Sequence, residues 1–133
     1  MPAGYLALVL HAHLPYIRHP EEPGIMEERW LFEAITECYV PLLRSFEKLV
    51  KEGVNFSLTF SLSPPLITML NDHLLQARYL RYLEGLIRLA EAEIDRNKNC
   101  PAVRELATMY YYRLNDIRRS FEDDYRGNLL LPL

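Results

Sequence analysis

The sequence predicts an α/β fold that opens with a strand–helix–strand unit and finishes on long amphipathic helices. Three observations carry this reading. Tyr5 to Leu10 is almost continuously apolar, which suits a strand buried on both faces, as in a parallel sheet. Val54 to Leu62 alternates, with Phe56, Leu58, Phe60 and Leu62 on one side and Ser57, Thr59, Ser61 and Ser63 on the other, the period-two pattern of a strand. Two later stretches, His73 to Asp95 and Pro101 to Asp124, repeat apolar residues at helical spacing.

The first strand runs into His11-Ala12-His13-Leu14-Pro15, and a loop punctuated by Pro20 and Pro23 follows. Glu27 and Glu28 then open a helix, where acidic side chains favour the positive end of the helix dipole. Pro41 should kink or split that helix, because it lacks a donor and crowds the preceding turn. The second half, Leu42 to Lys51, ends at Gly53, a suitable C-terminal cap. Ser63-Pro64-Pro65 reads as an N-cap with proline at the first helical position, opening a short helix to about Leu70. In the long helix from His73, the stripe is Leu75, Tyr79, Leu83, Leu86, Ala90 and Ile94, with Glu84 and Arg88 at a stabilising i,i+4 spacing. Asn97-Lys98-Asn99-Cys100 is the turn to the last helix, whose inward set is Val103, Leu106, Tyr110, Leu114, Ile117 and Phe121. Two strands joined through a helix should lie parallel. Two parallel strands alone are not a stable sheet. The chain is therefore either the opening part of a larger α/β barrel or a very small sheet covered by its helices.

Composition narrows the function. The 133 residues carry 15 Lys and Arg against 18 Asp and Glu, a formal net charge of −3. A nucleic-acid protein would need a clear basic excess. The chain is long enough for one ordinary domain. Cys38 and Cys100 fit no metal spacing and no disulfide framework, and read as free thiols of a reducing compartment. The apolar run at the N-terminus lacks a basic leader and is too short to span a bilayer, so a soluble, cytoplasmic protein is expected.

In a parallel α/β sheet, sites gather at the C-terminal ends of the strands. His11 and His13, two apart, project from one face of the first strand with Ala7 and Val9, while Leu6, Leu8 and Leu10 face the helices. Ser61 and Ser63 stand highest on the corresponding face of the second strand. Two imidazoles and two hydroxyls are thereby expected on one rim. The commoner reading of a single inward His is a hydrogen-bonded core residue, but a pair at this position needs two sets of partners. A zinc site would need a third ligand, and His19 and His73 supply none at evident spacing. Trp30 reads first as a core residue of the first helix and second as a stacking surface for a sugar ring. Glu21, Glu22, Glu27 and Glu28 read as a solvated loop and helix start, and Arg118 and Arg119 as a solvated face. Tyr110-Tyr111-Tyr112 reads as helix packing with one ring outside the stripe. The sequence holds no phosphate-binding glycine loop, no serine nucleophile elbow and no Cys–His arrangement.

Three blocks in order, Gly4-Tyr-Leu-Ala-Leu-Val-Leu-His-Ala-His-Leu-Pro-Tyr16, Glu27-Glu-Arg-Trp-Leu-Phe-Glu-Ala-Ile-Thr-Glu-Cys-Tyr-Val-Pro-Leu-Leu43 and Phe56-Ser-Leu-Thr-Phe-Ser-Leu-Ser-Pro-Pro-Leu66, resemble the N-terminal part of glycoside hydrolase family 57. Within that family they most resemble the 1,4-α-glucan branching enzymes. The resemblance implies residues 1–133 as the N-terminal segment of an incomplete (β/α)7 barrel, a retaining mechanism, an α-glucan substrate such as amylose or a glycogen-like chain, and no cofactor. The family's His-Gln-Pro region maps onto His13-Leu14-Pro15, with Leu14 in place of Gln, a departure the branching enzymes share. By the same carry-over His13, with His11 beside it, lies on the floor of the subsite that holds the attacked glucosyl unit. Substrate contacts are expected from His11, His13, Trp30, Ser61 and Ser63. No Glu or Asp of this chain matches the family's nucleophile and acid/base motifs, so both are expected downstream. From Phe121 onward the chain stops following the family pattern, and Gly127 to Leu133 reads as a truncation or frame change. Neither nucleic acid nor membrane is an expected partner. The rivals are an amylase or 4-α-glucanotransferase of the same family, a metal-dependent amidohydrolase-like barrel, and a non-catalytic helical interaction module.

Overall fold

A computed structural model describes residues 4–22 and 24–130. Of the expectations above, those on Pro23 and on residues 131–133 lie outside the described residues. The elements are β1 (Val9–Ala12), α1 (Met26–Ala34), α2 (Val40–Lys51), β2 (Thr59–Leu62), α3 (Pro64–Leu70), α4 (His73–Arg96) and α5 (Pro101–Arg119), with π-helical turns at Ile35–Tyr39 and Ser120–Asp124. β1 and β2 pair in parallel, Val9 against Thr59, Leu10 against Phe60, His11 against Ser61 and Ala12 against Leu62. The strand–helix–strand order and the parallel pairing match the reading of the sequence.

Both strands are shorter than their sequence patterns, and β1 is not buried on both faces as expected. Tyr5, Leu6, Leu8, Val54 and Phe56 are exposed. Ala12 is buried and Phe60 and Leu62 pack against the core with Leu31, Leu43, Leu66 and Leu70, so only one face of the sheet is covered. Apolar character beyond that face marks surface left largely exposed among the described residues. Phe56 recovers part of its burial against Phe46, with ring centroids 5.7 Å apart.

Pro41 does not split the helix. The chain stays helical from Met26 to Lys51, and the widened turn at Ile35–Tyr39 takes up the misfit, with the Val40 N–H reaching back to the Ile35 carbonyl. One extra residue in the turn relieves the clash between the proline ring and the carbonyl behind it. Ser63 begins α3 in extended geometry, but its hydroxyl makes no cap hydrogen bond. Asp72 does cap α4, accepting from Leu74 N–H at 2.8 Å and Leu75 N–H at 3.0 Å. Among the described residues Glu84 and Arg88 form no ion pair.

α4 and α5 form an antiparallel pair turned at Asn97–Cys100. The expected α4 stripe is buried at Leu75, Tyr79, Leu83 and Ala90, with Ile87 added. The expected α5 stripe holds only in its second half. Leu114, Ile117 and Phe121 are buried, whereas Val103, Leu106 and Tyr110 are exposed and line, with Leu86 and Leu89, an apolar groove of 360 Å³. The segment after α5 belongs to the same core. Phe121, Tyr125 and Leu129 are buried, and the Gln76 amide donates to the Gly127 carbonyl at 3.0 Å. Gly127 carries φ +74, the left-handed conformation that ends the turn and that glycine adopts without strain.

Candidate functional site

Alternation along each strand assigns the faces. Leu10, Ala12, Phe60 and Leu62 point to the helices, so Val9, His11, Thr59 and Ser61 point to the open face. The register sets His11 and Ser61 directly side by side, and the His11 Nδ1 lies 2.7 Å from the Ser61 Oγ. Nδ1 is the ring nitrogen nearer the backbone, and a serine one strand away is short enough to meet it. That contact occupies Nδ1 and leaves Nε2 as the second hydrogen-bonding nitrogen of the ring.

His13 follows the last residue of β1 and is exposed. It sits on a short, anchored stretch. Leu14 packs against the core and Ile17 is buried, its N–H held at 3.3 Å by the Met69 sulfur. Ser63 lies just past β2, its N–H donating to the Ala12 carbonyl at 3.1 Å, and its hydroxyl is buried without a hydrogen-bond partner. Ser63 thus continues the ladder by one bond but does not share the exposure of Ser61. Trp30 is not the core residue expected of it: it is 43% exposed and outside the core cluster. Burial on α1 is taken by Leu31 and Phe32, which leaves the Trp30 side of the helix to solvent.

A groove of 470 Å³ runs along β1, lined by Leu10, His11, Glu37, Cys38, Tyr39 and Phe60 among others. Glu37 is the one carboxylate among its lining residues, and it is engaged by Arg113 at 2.5 Å. Burial, first, and the neighbouring Cys38, second, push the Tyr39 hydroxyl above its ordinary value, so it stays a neutral hydrogen-bonding group. Among the described residues no three His, Cys, Asp or Glu side chains gather as a metal site would require. Cys38 and Cys100 are free and exposed.

The loop from β1 to α1 is held by two ion pairs. Glu28 is fully buried and paired with Arg78, against the solvated role expected for it. Arg78 also donates to the His19 carbonyl at 2.9 Å and the Pro20 carbonyl at 3.0 Å. Arg18, in the same loop, pairs with Asp72. Burial pushes the Asp72 carboxyl up, but the Leu75 N–H, Arg18 and the Leu74 N–H together outweigh it and hold the group below the usual carboxylate range. The available signal was an Asp immediately before a helix. For Glu28 and Arg78, fifty residues apart, a single sequence offers none.

Comparison with known proteins gives consistent matches. The pattern of glycosyl hydrolase family 57 matches residues 7–127. A 1,4-alpha-glucan branching enzyme of Thermococcus kodakarensis is 33% identical over 127 residues, 95% of this chain and 18% of the relative. An alpha-amylase structure from Thermotoga maritima superposes with a TM-score of 0.86 at 44% identity, over 95% of this chain and 24% of that one. The structure of a branching enzyme from Pyrococcus horikoshii superposes with a TM-score of 0.88 at 35% identity, over 97% of this chain and 24% of that one. This chain thus spans about a fifth to a quarter of the length of these relatives.

Proposed function

The chain belongs to glycosyl hydrolase family 57, and from that premise we propose that it is the opening segment of the catalytic barrel of a retaining α-glucan-active enzyme, a 1,4-α-glucan branching enzyme in the first reading. The observation that carries the proposal is the His11–Ser61 pair, set on the open face of two parallel strands. In an incomplete (β/α)7 barrel that face lines the interior, and sites of such folds lie where the strands end.

The reaction would cleave an α-1,4 linkage, hold the donor as a covalent glucosyl–enzyme, and pass it to the 6-hydroxyl of an acceptor glucan. Retention needs two carboxyl groups about 5–5.5 Å apart across the scissile bond. His11 and His13 have a different task. Their imidazoles hydrogen-bond sugar hydroxyls and steady the charge that develops as the bond breaks. Ser61 contributes an exposed hydroxyl, whereas the Ser63 hydroxyl, expected on the same rim, is buried in this segment, and Trp30 offers an exposed surface on which a glucose face can stack. No metal or other cofactor is invoked. The substrate is amylose or a glycogen-like polymer met in the cytoplasm.

The second reading is an amylase of the same family, favoured by the 44% identity to the Thermotoga maritima enzyme. Assay of the whole enzyme carrying this segment on amylose separates the two. Accumulation of α-1,6 linkages is expected for branching, and net release of reducing ends without new branches supports the amylase. The chain by itself is expected to be inactive, since none of its Glu or Asp residues matches the family's nucleophile and acid/base motifs. Turnover of amylose by the purified chain would overturn that division of labour.

A further inference from the structure

The geometry points to Ser61 as a positioning residue that fixes the His11 ring so that Nε2 meets the glucan; this rests on the α-glucan reading above. The contact is built from both sides. His11 lies between Leu10 and Ala12 on β1, and Ser61 between Phe60 and Leu62 on β2; Ala12, Phe60 and Leu62 are held in or against the core. These contacts anchor both strands, and the parallel register brings Oγ to 2.7 Å from Nδ1. A serine hydroxyl can donate to a neutral Nδ1 and accept from a protonated one. It can thus hold the ring in either charge state, leaving Nε2 as the nitrogen available to a sugar hydroxyl or to developing charge. The pair is exposed, where one hydrogen bond adds little to folding stability. Its consequence is orientation: a ring with one nitrogen already occupied has fewer rotamers to lose when substrate arrives.

The test uses the 133-residue chain with ¹⁵N-labelled imidazoles, as wild type, Ser61→Ala and Ser61→Thr. Backbone amide spectra confirm that each variant is folded. In Ser61→Ala the His11 Nδ1 and Nε2 resonances should move toward the averaged pattern of a free imidazole, and Ser61→Thr, which keeps the γ-oxygen, should restore them. In the whole enzyme carrying this segment, titration with maltoheptaose should show about a five-fold weaker affinity for Ser61→Ala, the loss of roughly one hydrogen bond's worth of positioning, with wild-type affinity regained in Ser61→Thr. Unchanged His11 resonances in Ser61→Ala would overturn the positioning role, as would an alanine variant that binds as well as wild type. If the resonances respond to Ser61→Ala but the wild-type whole enzyme shows no maltoheptaose binding, the α-glucan reading fails, and the role assigned to Ser61 in sugar binding fails with it.

Discussion

Glu28 and Arg78 form an ion pair sealed inside the protein, 0% and 7% exposed, and the same guanidinium holds two carbonyls of the loop that follows the first strand. The pair joins α1 to α4 and ties the His19 and Pro20 carbonyls to them. Removing one partner leaves the other charged and buried, which typically costs about 3–5 kcal/mol. Glu28→Ala and Arg78→Ala are each expected to lower stability by about that amount, a large share of the 5–15 kcal/mol of an ordinary domain. The double variant should lose much less than the sum. Urea unfolding midpoints of the three proteins check this, and additive losses would contradict it.

Asp72 gives the stability a dependence on acid. Its folded-state carboxyl titrates below its unfolded value, so the unfolded chain binds more protons around that range. The contribution is complete above about pH 4 and fades as pH falls through the depressed folded-state value. Asp72→Asn keeps a capping oxygen but loses the pairing with Arg18. Its unfolding midpoint should fall less steeply with acidification than that of wild type. Parallel slopes between pH 5 and pH 2 would contradict the assignment.

Trp30 is exposed on α1 and outside the core, so Trp30→Ala should change stability by no more than about 0.5 kcal/mol. If the ring stacks on glucose, the same substitution should weaken maltoheptaose binding about three- to ten-fold. Thermal unfolding and a binding titration on the same sample separate the two effects. A large stability loss would return Trp30 to a packing role.

The apolar groove between α4 and α5 leaves Val103, Leu106 and Tyr110 facing solvent. Surface of this kind drives association. Leu106→Lys should reduce concentration-dependent light scattering of the isolated chain while leaving its unfolding midpoint within about 0.5 kcal/mol of wild type. Scattering that is unaffected by the change would place the sticky surface elsewhere, on the open strands.

Much of this was legible in the sequence because it is local. The serines alternating with Phe60 and Leu62, the Ser63-Pro64 helix start and the Asn97–Cys100 turn each follow from neighbours a few residues apart, and the structure has them. The face shared by His11 and Ser61 was legible for the same reason, since period two transfers directly into geometry. The failures are non-local. Glu28 looks like a solvated first-turn acid until Arg78 arrives from another helix. Trp30 looks like core until Leu31 and Phe32 take the buried face. Val103 and Leu106 carry a correct helical period, yet among the described residues they stay exposed. Periodicity tells which side of an element is apolar, not whether a partner is there to meet it.

The open face around His11 and Ser61 is proposed to bind α-glucan, and titrating the whole enzyme, ¹⁵N-labelled in this segment, with maltoheptaose tests it. The expected result is saturable shifts concentrated at His11, His13, Ser61 and Thr59, reduced in His11→Ala. Shifts confined to the α4–α5 groove, or no shifts at millimolar sugar, would contradict it.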